Sequence, residues 1–159
     1  MKTRRKAREA ALQALYQCDT QCIWTTEAVE LYFQNFQEEI LETDEAQLEN
    51  LEFSKRLVFG VIEHMDFLDR HIEQASLRWT VDRMSRVDRN IIRIALYEIA
   101  FIEAIPTNVS LNEAIEISKH YAADESPNFI NGVLDHAART FANNPGLVAT
   151  AVSPLRRVG

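Results

Sequence analysis

The residues with the most evident chemical potential are five cations within the first eight positions, with no acidic residue among them. They are Lys2, Arg4, Arg5, Lys6 and Arg8. Clustered lysine and arginine side chains suit contacts with the phosphates of nucleic acid. Tyr16 follows some two helical turns after the cluster, and a tyrosine ring can support a stacked nucleobase. The composition fits an RNA-binding end, but it also fits a basic tail without RNA function and a core position for Tyr16.

The charge of the rest of the chain contrasts with this basic start. The formal net charge is −7, and Arg156 and Arg157 add two cations near the other end. Setting these seven positive charges aside leaves −14 for the residues between them. An acidic body repels nucleic acid, so RNA is expected at the basic end, while a basic protein could be attracted elsewhere.

A second charged group lies in the middle of the sequence. Four arginines at spacings of three or four surround one aspartate and follow Trp79; they are Arg83, Arg86, Arg89 and Arg93, and the aspartate is Asp88. Such a strip could contact phosphates, or it could form ion pairs that anchor a helix against its neighbours. The spacing alone favours anchoring.

No pattern in the sequence predicts catalysis. There is no glycine-rich phosphate loop, no nucleophile elbow and no spacing typical of zinc ligands. Cys18 and Cys22 share one predicted helix without a paired histidine, so we expect ordinary reduced cysteines, no metal site and no cofactor. No apolar run approaches the ~20 residues needed to span a bilayer, and we expect a cytoplasmic protein.

The elements that must position these residues are helices. Apolar residues recur at helical spacing over 3–19, 26–41 and from Leu51 onward, the last stretch being broken near 64–66. Further helix starts are predicted at Ser85, at a capping box formed by Ser110 and Glu113, and at Ser126 before Pro127. The sequence predicts an all-α, single-domain bundle of about seven helices over residues 1–142, with the helix 86–103 at its centre and 143–159 as a flexible tail.

Five separated segments, in collinear order from residue 4 to about 138, resemble the NusB family. They are RRKAREAALQALYQ (4–17), LVFGV (57–61), VDRNIIRIALYE (87–98), IP with NEAIE (105–116) and ESPNFINGVLD (125–135). The resemblance implies a seven-helix protein without catalysis or cofactor. It implies binding of single-stranded boxA RNA in ribosomal-RNA leader transcripts together with NusE, a small-subunit ribosomal protein, and hence help to RNA polymerase in passing terminators.

The resemblance also assigns residues to the two partners. The positions carried over to RNA binding are Lys2, Arg4, Arg5, Lys6, Arg8, Tyr16, Asp88 and Phe129. Those carried over to the protein partner are Asp124, Glu125 and Ser126. This chain departs from the family at Asn128, where a basic residue is frequent, so one RNA-proximal charge is absent.

Three alternatives stay open in the sequence. NusB-like domains also precede catalytic domains in ribosomal-RNA cytosine methyltransferases, which makes an RNA-targeting domain of such an enzyme one rival. A purely structural protein-interaction module with an incidental basic start is another. Some family members self-associate, and the sequence does not decide between a monomer and a homodimer.

Overall fold

Every regular element in the described part of the chain is helical. The computed structural model describes residues 2–37 and 45–149. Its helices are α1 (Lys2–Gln21), α2 (Thr26–Gln37), α3 (Glu45–Glu63), α4 (Met65–Ser76), a short 3-10 helix (Val81–Arg83), α5 (Arg86–Phe101), α6 (Thr107–Tyr121) and α7 (Ser126–Asn143). The predicted all-α class is confirmed, as is the break between α3 and α4.

The described helices group into two compact units that divide between Glu63 and His64. In the first unit, α1 packs on α3, and α2 contacts both. Small residues dominate the buried side of α1, where Ala7, Ala11 and Ala14 are at most 2% exposed. Alanine side chains let two helices approach closely, which brings the first turns of α1 within reach of the side chains of α3.

In the second unit, α5 packs against α4, α6 and α7. Nine of its residues are buried, more than in any other described helix of this unit. The prediction that this helix fills the centre is therefore confirmed for the unit that contains it. An arginine on α5 also brings a charge inside: the Arg93 guanidinium donates to both carboxylate oxygens of Asp69 on α4, at 2.8 and 2.9 Å.

The predicted helix starts had different outcomes. Ser85 caps α5, and its hydroxyl oxygen accepts a hydrogen bond from the Asp88 amide at 3.0 Å. Ser126 is not a cap, because it is the first residue of α7 and the preceding Glu125 occupies the cap position without a side-chain hydrogen bond. The helix is nevertheless started as expected by the proline that follows, since its fixed φ suits a first turn.

The capping box predicted at Ser110 is wrong. Helix α6 begins three residues earlier, at Thr107, with Pro106 in the cap position. Ser110 is therefore inside the helix, 1% exposed, and its hydroxyl donates to the buried Glu98 carboxylate at 2.9 Å. A buried carboxylate without donors is costly, so this long-range partner takes the hydroxyl that the local pattern assigned to capping.

The predicted tail lies mostly beyond the described residues. Helix α7 continues to Asn143, the description extends to residue 149, and 150–159 fall outside it. The boundary of one domain at 142 and the flexible tail stay predictions.

His71 makes the second unit sensitive to acid. Its ring is 7% exposed and lies beside Phe67 and Phe141, with centroids 4.6 and 5.1 Å away. Burial, with a smaller contribution from Arg70, lowers the pKa of His71 below its ordinary value of 6.5. Below about pH 6.5 His71 is therefore protonated more readily in the unfolded chain than in the folded chain. The free energy of unfolding should fall as the pH drops below that value.

We expect His71→Leu to reduce this pH dependence. Chemical denaturation between about pH 7.5 and 5 would measure it, with His120→Leu as the control, because His120 is exposed. Equal slopes for the two variants would contradict the assignment to His71.

Candidate RNA interface

The five N-terminal cations, called the basic strip below, are carried by the first two turns of α1. Arg4 and Lys6 are exposed, and Arg5 is partly exposed. The Lys2 side chain lies outside the described part of the structure. At a helix N-terminus these cations oppose the helix dipole, so helix stability does not explain their presence.

Arg8 departs from the expected phosphate contact. Arg8 is only 3% exposed, and its guanidinium carbon lies 5.5 Å from the centroid of the Phe53 ring. Arg8 shares the side of α1 that packs on α3, because it lies one turn from Arg4 and one turn from the buried Leu12. A buried guanidinium does not meet an RNA phosphate in this conformation, so direct contact by Arg8 would require its side chain to move, and its assignment to RNA stays a prediction.

Tyr16 also lies on α1 and is 43% exposed. The alternative that it fills the core is therefore wrong. Its accessible ring keeps the predicted base-stacking role physically possible.

A groove in the second unit brings together residues from three stretches of the chain. It has a volume of about 340 Å³ and is lined by Trp79, Arg83, Met84, Ser85, Asp88, Ala123, Glu125, Ser126 and Phe129. The 3-10 helix with the start of α5 forms one side, and the turn before α7 with its first residues forms the other. The capped start of α5 and the proline-started α7 thus position the groove.

The groove combines aromatic surface with an unsatisfied acceptor. Trp79 is 48% exposed, and Phe129 is partly exposed. The Asp88 Oδ1 atom is buried and accepts no hydrogen bond from any described residue. Asp88 also lines the groove, and a carboxylate there favours a ligand that donates hydrogen bonds, such as the amino group of a nucleobase or a cationic side chain.

The groove unites residues that the sequence assigned to different partners. Asp88 and Phe129 were assigned to RNA, while Glu125 and Ser126 were assigned to the protein partner, and all four line it. Asp124 is exposed and does not line it. In the sequence, Trp79 stands out only as the residue before the arginine strip and was not assigned to the site. Its signal was that a large aromatic residue there fits no apolar stripe of a helix.

Two of the four arginines in the strip, Arg89 and Arg93, anchor α5 to its neighbours, as the spacing favoured. Arg93 pairs with Asp69, and Arg89 donates to the carbonyls of Val81 and Met84 at 3.3 and 3.5 Å. Only Arg83 of the four lines the groove. The phosphate-contacting interpretation therefore does not apply to Arg93, which is buried.

The described residues hold no group of three or more histidine, cysteine or acidic side chains that could bind a metal ion. Burial raises the pKa of the Cys18 thiol, which keeps it protonated. The exposed Cys22 follows the end of α1, so the expectation that the two cysteines share one helix is wrong. None of the described helices combines the length and apolar character required to cross a membrane.

Comparison with known proteins matches this chain to a described family. The family model described as "NusB family" matches residues 5–139. The chain is 46% identical over 133 residues to the transcription antitermination protein NusB of Bacillus subtilis, covering 84% of this chain and 92% of that protein. It is 41% identical over 138 residues to that of Geotalea uraniireducens, covering 87% and 95%.

Solved structures extend the likeness to three dimensions. T. maritima NusB aligns with a TM-score of 0.71 at 33% identity, covering 86% of this chain and 90% of that one. A chain from the complex of antitermination factors NusB and NusE with double-stranded RNA aligns with a TM-score of 0.72 at 26% identity, covering 88% and 98%. Since the family model spans nearly all described helices and the relatives are more than 40% identical over most of their length, this chain belongs to the NusB family.

Proposed function

We propose that this chain is a non-enzymatic, cytoplasmic transcription antitermination factor. It binds boxA-type single-stranded RNA of ribosomal-RNA leader transcripts together with NusE, a small-subunit ribosomal protein, and so helps RNA polymerase pass terminators. The observation that carries the proposal is the groove of the second unit, where residues assigned to RNA and residues assigned to the partner line one depression.

The chemistry of the groove favours unpaired bases over phosphates. Asp88 and Glu125 place two carboxylates along it against one cation, Arg83, so the charge of the lining does not favour phosphate oxygens. Trp79 and Phe129 offer rings for stacking. Bases in a duplex are already stacked and paired, so a splayed single strand fits such a groove better.

The basic strip supplies the complementary interaction with phosphates. Among the strip cations whose side chains the structure describes, Arg4 and Lys6 are exposed and Arg5 is partly exposed. Three single-strand phosphate contacts correspond to a slope of log affinity against log salt of about −2. Five contacts, as the sequence suggested, would give about −3.5. Either slope implies modest binding by the chain alone, which a second RNA-binding protein would strengthen through effective concentration.

Titration of a labelled boxA-type single strand tests the proposal. We expect tighter binding than to a scrambled strand or to the same sequence in a duplex, and a further gain when NusE is added. Equal affinity for all three RNAs, with and without NusE, would contradict it.

Phe129→Ala is expected to weaken binding of the boxA-type strand about tenfold, because loss of one stacked ring costs on the order of 1 to 3 kcal/mol. The same titration measures the effect. Tyr121→Ala is the matched control, since Tyr121 is 42% exposed on α6 and does not line the groove. If both variants lose affinity alike, stacking on Phe129 is not the cause.

A further inference from the structure

The aromatic ring of Phe53 on α3 lies under two cations of the basic strip. The Arg4 guanidinium carbon is 4.3 Å from the ring centroid, and that of Arg8 is 5.5 Å away. Both distances are within the range of cation–π attraction. Arg4 and Arg8 are one helical turn apart, so they project from the same side of α1 and can share one ring.

The next residue of α3 holds the same turn of α1 by a different contact. The Ser54 hydroxyl donates to the backbone carbonyl of Ala7, and Ser54 is 1% exposed. Ala7 lies between the two arginines in sequence. Two consecutive residues of α3 therefore fix both the backbone of this turn and the direction of its cationic side chains.

The Phe53 ring reduces the electrostatic repulsion within the basic strip. Five like charges repel one another, and the positive end of the helix dipole repels them further. The negative face of the Phe53 ring offsets part of this repulsion. A guanidinium that rests on a ring uses its flat face, whereas its N–H donors point outward in its plane, toward a bidentate phosphate contact.

We propose that Phe53 is a positioning residue for RNA binding. Its ring holds the exposed Arg4 side chain in an orientation ready for phosphate, so that less rotamer freedom is lost when RNA binds. The buried Arg8 guanidinium contacts the same ring, and the Ser54 hydrogen bond to the Ala7 carbonyl holds this turn of α1 against α3. The inference rests on the proposed RNA-binding function and adds a residue that does not itself touch RNA.

Fluorinated phenylalanines at position 53 of the full-length chain separate this role from packing. Added ring fluorines withdraw electron density from the ring face but change its size little. We expect the affinity for the labelled boxA-type strand to fall stepwise with fluorine number, by roughly two- to fivefold in total. The salt slope should stay unchanged, because the number of phosphate contacts is the same.

The Arg4→Gln background provides the internal check. If the ring acts through Arg4, the affinity for RNA should depend much less on fluorine number in this background. Comparing the two backgrounds cancels any general effect of fluorination on stability. A flat series in the unaltered background, or a series equally steep with Arg4→Gln, would overturn the inference. If the chain with unmodified Phe53 binds no RNA, the proposed function fails and this inference with it; binding with a flat series overturns the inference alone.

Discussion

Replacing Arg4 and Lys6 together by glutamate, which reverses both charges, is expected to weaken binding of the boxA-type strand on the order of thirtyfold at about 50 mM salt. Both residues are exposed on the first turns of α1. Loss of each charge-assisted contact costs about 1 kcal/mol or more, and the introduced glutamates also repel phosphate. The slope of log affinity against log salt should become shallower by about 1.4, which corresponds to two lost contacts on a single strand.

The matched control reverses Lys119 and Arg139, which changes the net charge of the chain by the same amount. Both are exposed, on α6 and α7, and pair with Glu116 at 3.0 Å and Asp135 at 3.1 Å. Neither lines the groove. We expect at most a small loss with this control, so an equal loss in the two double variants would show that total charge governs binding. Circular dichroism should show intact helices in both.

Asp69→Ala is expected to be the most destabilising of the substitutions considered, lowering the free energy of unfolding by about 3 kcal/mol. The Arg93 side chain is 7% exposed and that of Asp69 25%, and two parallel hydrogen bonds join them. Arg93 also donates to the Asn90 side chain at 2.9 Å. Removing the carboxylate takes two charge-assisted hydrogen bonds from a buried cation, which is the costly outcome for a buried pair.

Asp135→Ala is the matched control for this effect. It breaks an aspartate–arginine pair on α7 that is exposed, with side chains 47% and 76% accessible, and exposed pairs one turn apart contribute about 0.3 to 0.5 kcal/mol. Denaturant unfolding would measure both variants. Comparable losses would mean that the burial of Arg93 is not what makes its pair important. The combined Asp69→Leu and Arg93→Met variant should recover much of the loss, because no buried charge remains.

Local patterns predicted those parts of the fold that local interactions decide. The cap at Ser85 was predictable because its partner is the Asp88 amide three residues away. The box at Ser110 failed because the true partner of its hydroxyl is the Glu98 carboxylate on a different helix. A sequence window shows that a serine can cap a helix, but it does not show which distant acceptor competes for it.

The candidate site divides in the same way. The cations of the basic strip follow from composition, whereas the contact of Arg8 with Phe53 joins residues 45 positions apart in the chain. A partial signal existed, because Arg4, Arg8 and Leu12 recur at intervals of four and Leu12 is a core residue. The meeting of Asp88 with Glu125 in one groove had no local signal, since α6 and its flanking turns separate them in sequence.

The anchoring of Arg8 has a consequence for the kinetics of RNA capture. An unstructured basic arm would have a large capture radius and could bind an RNA strand before it folds. Here the turn from Arg4 to Arg8 is part of a folded helix that is fixed to α3 through Phe53 and Ser54. Encounter must then depend on long-range attraction between a rigid cationic helix end and the moving RNA, so the association rate should fall steeply with ionic strength while dissociation changes little.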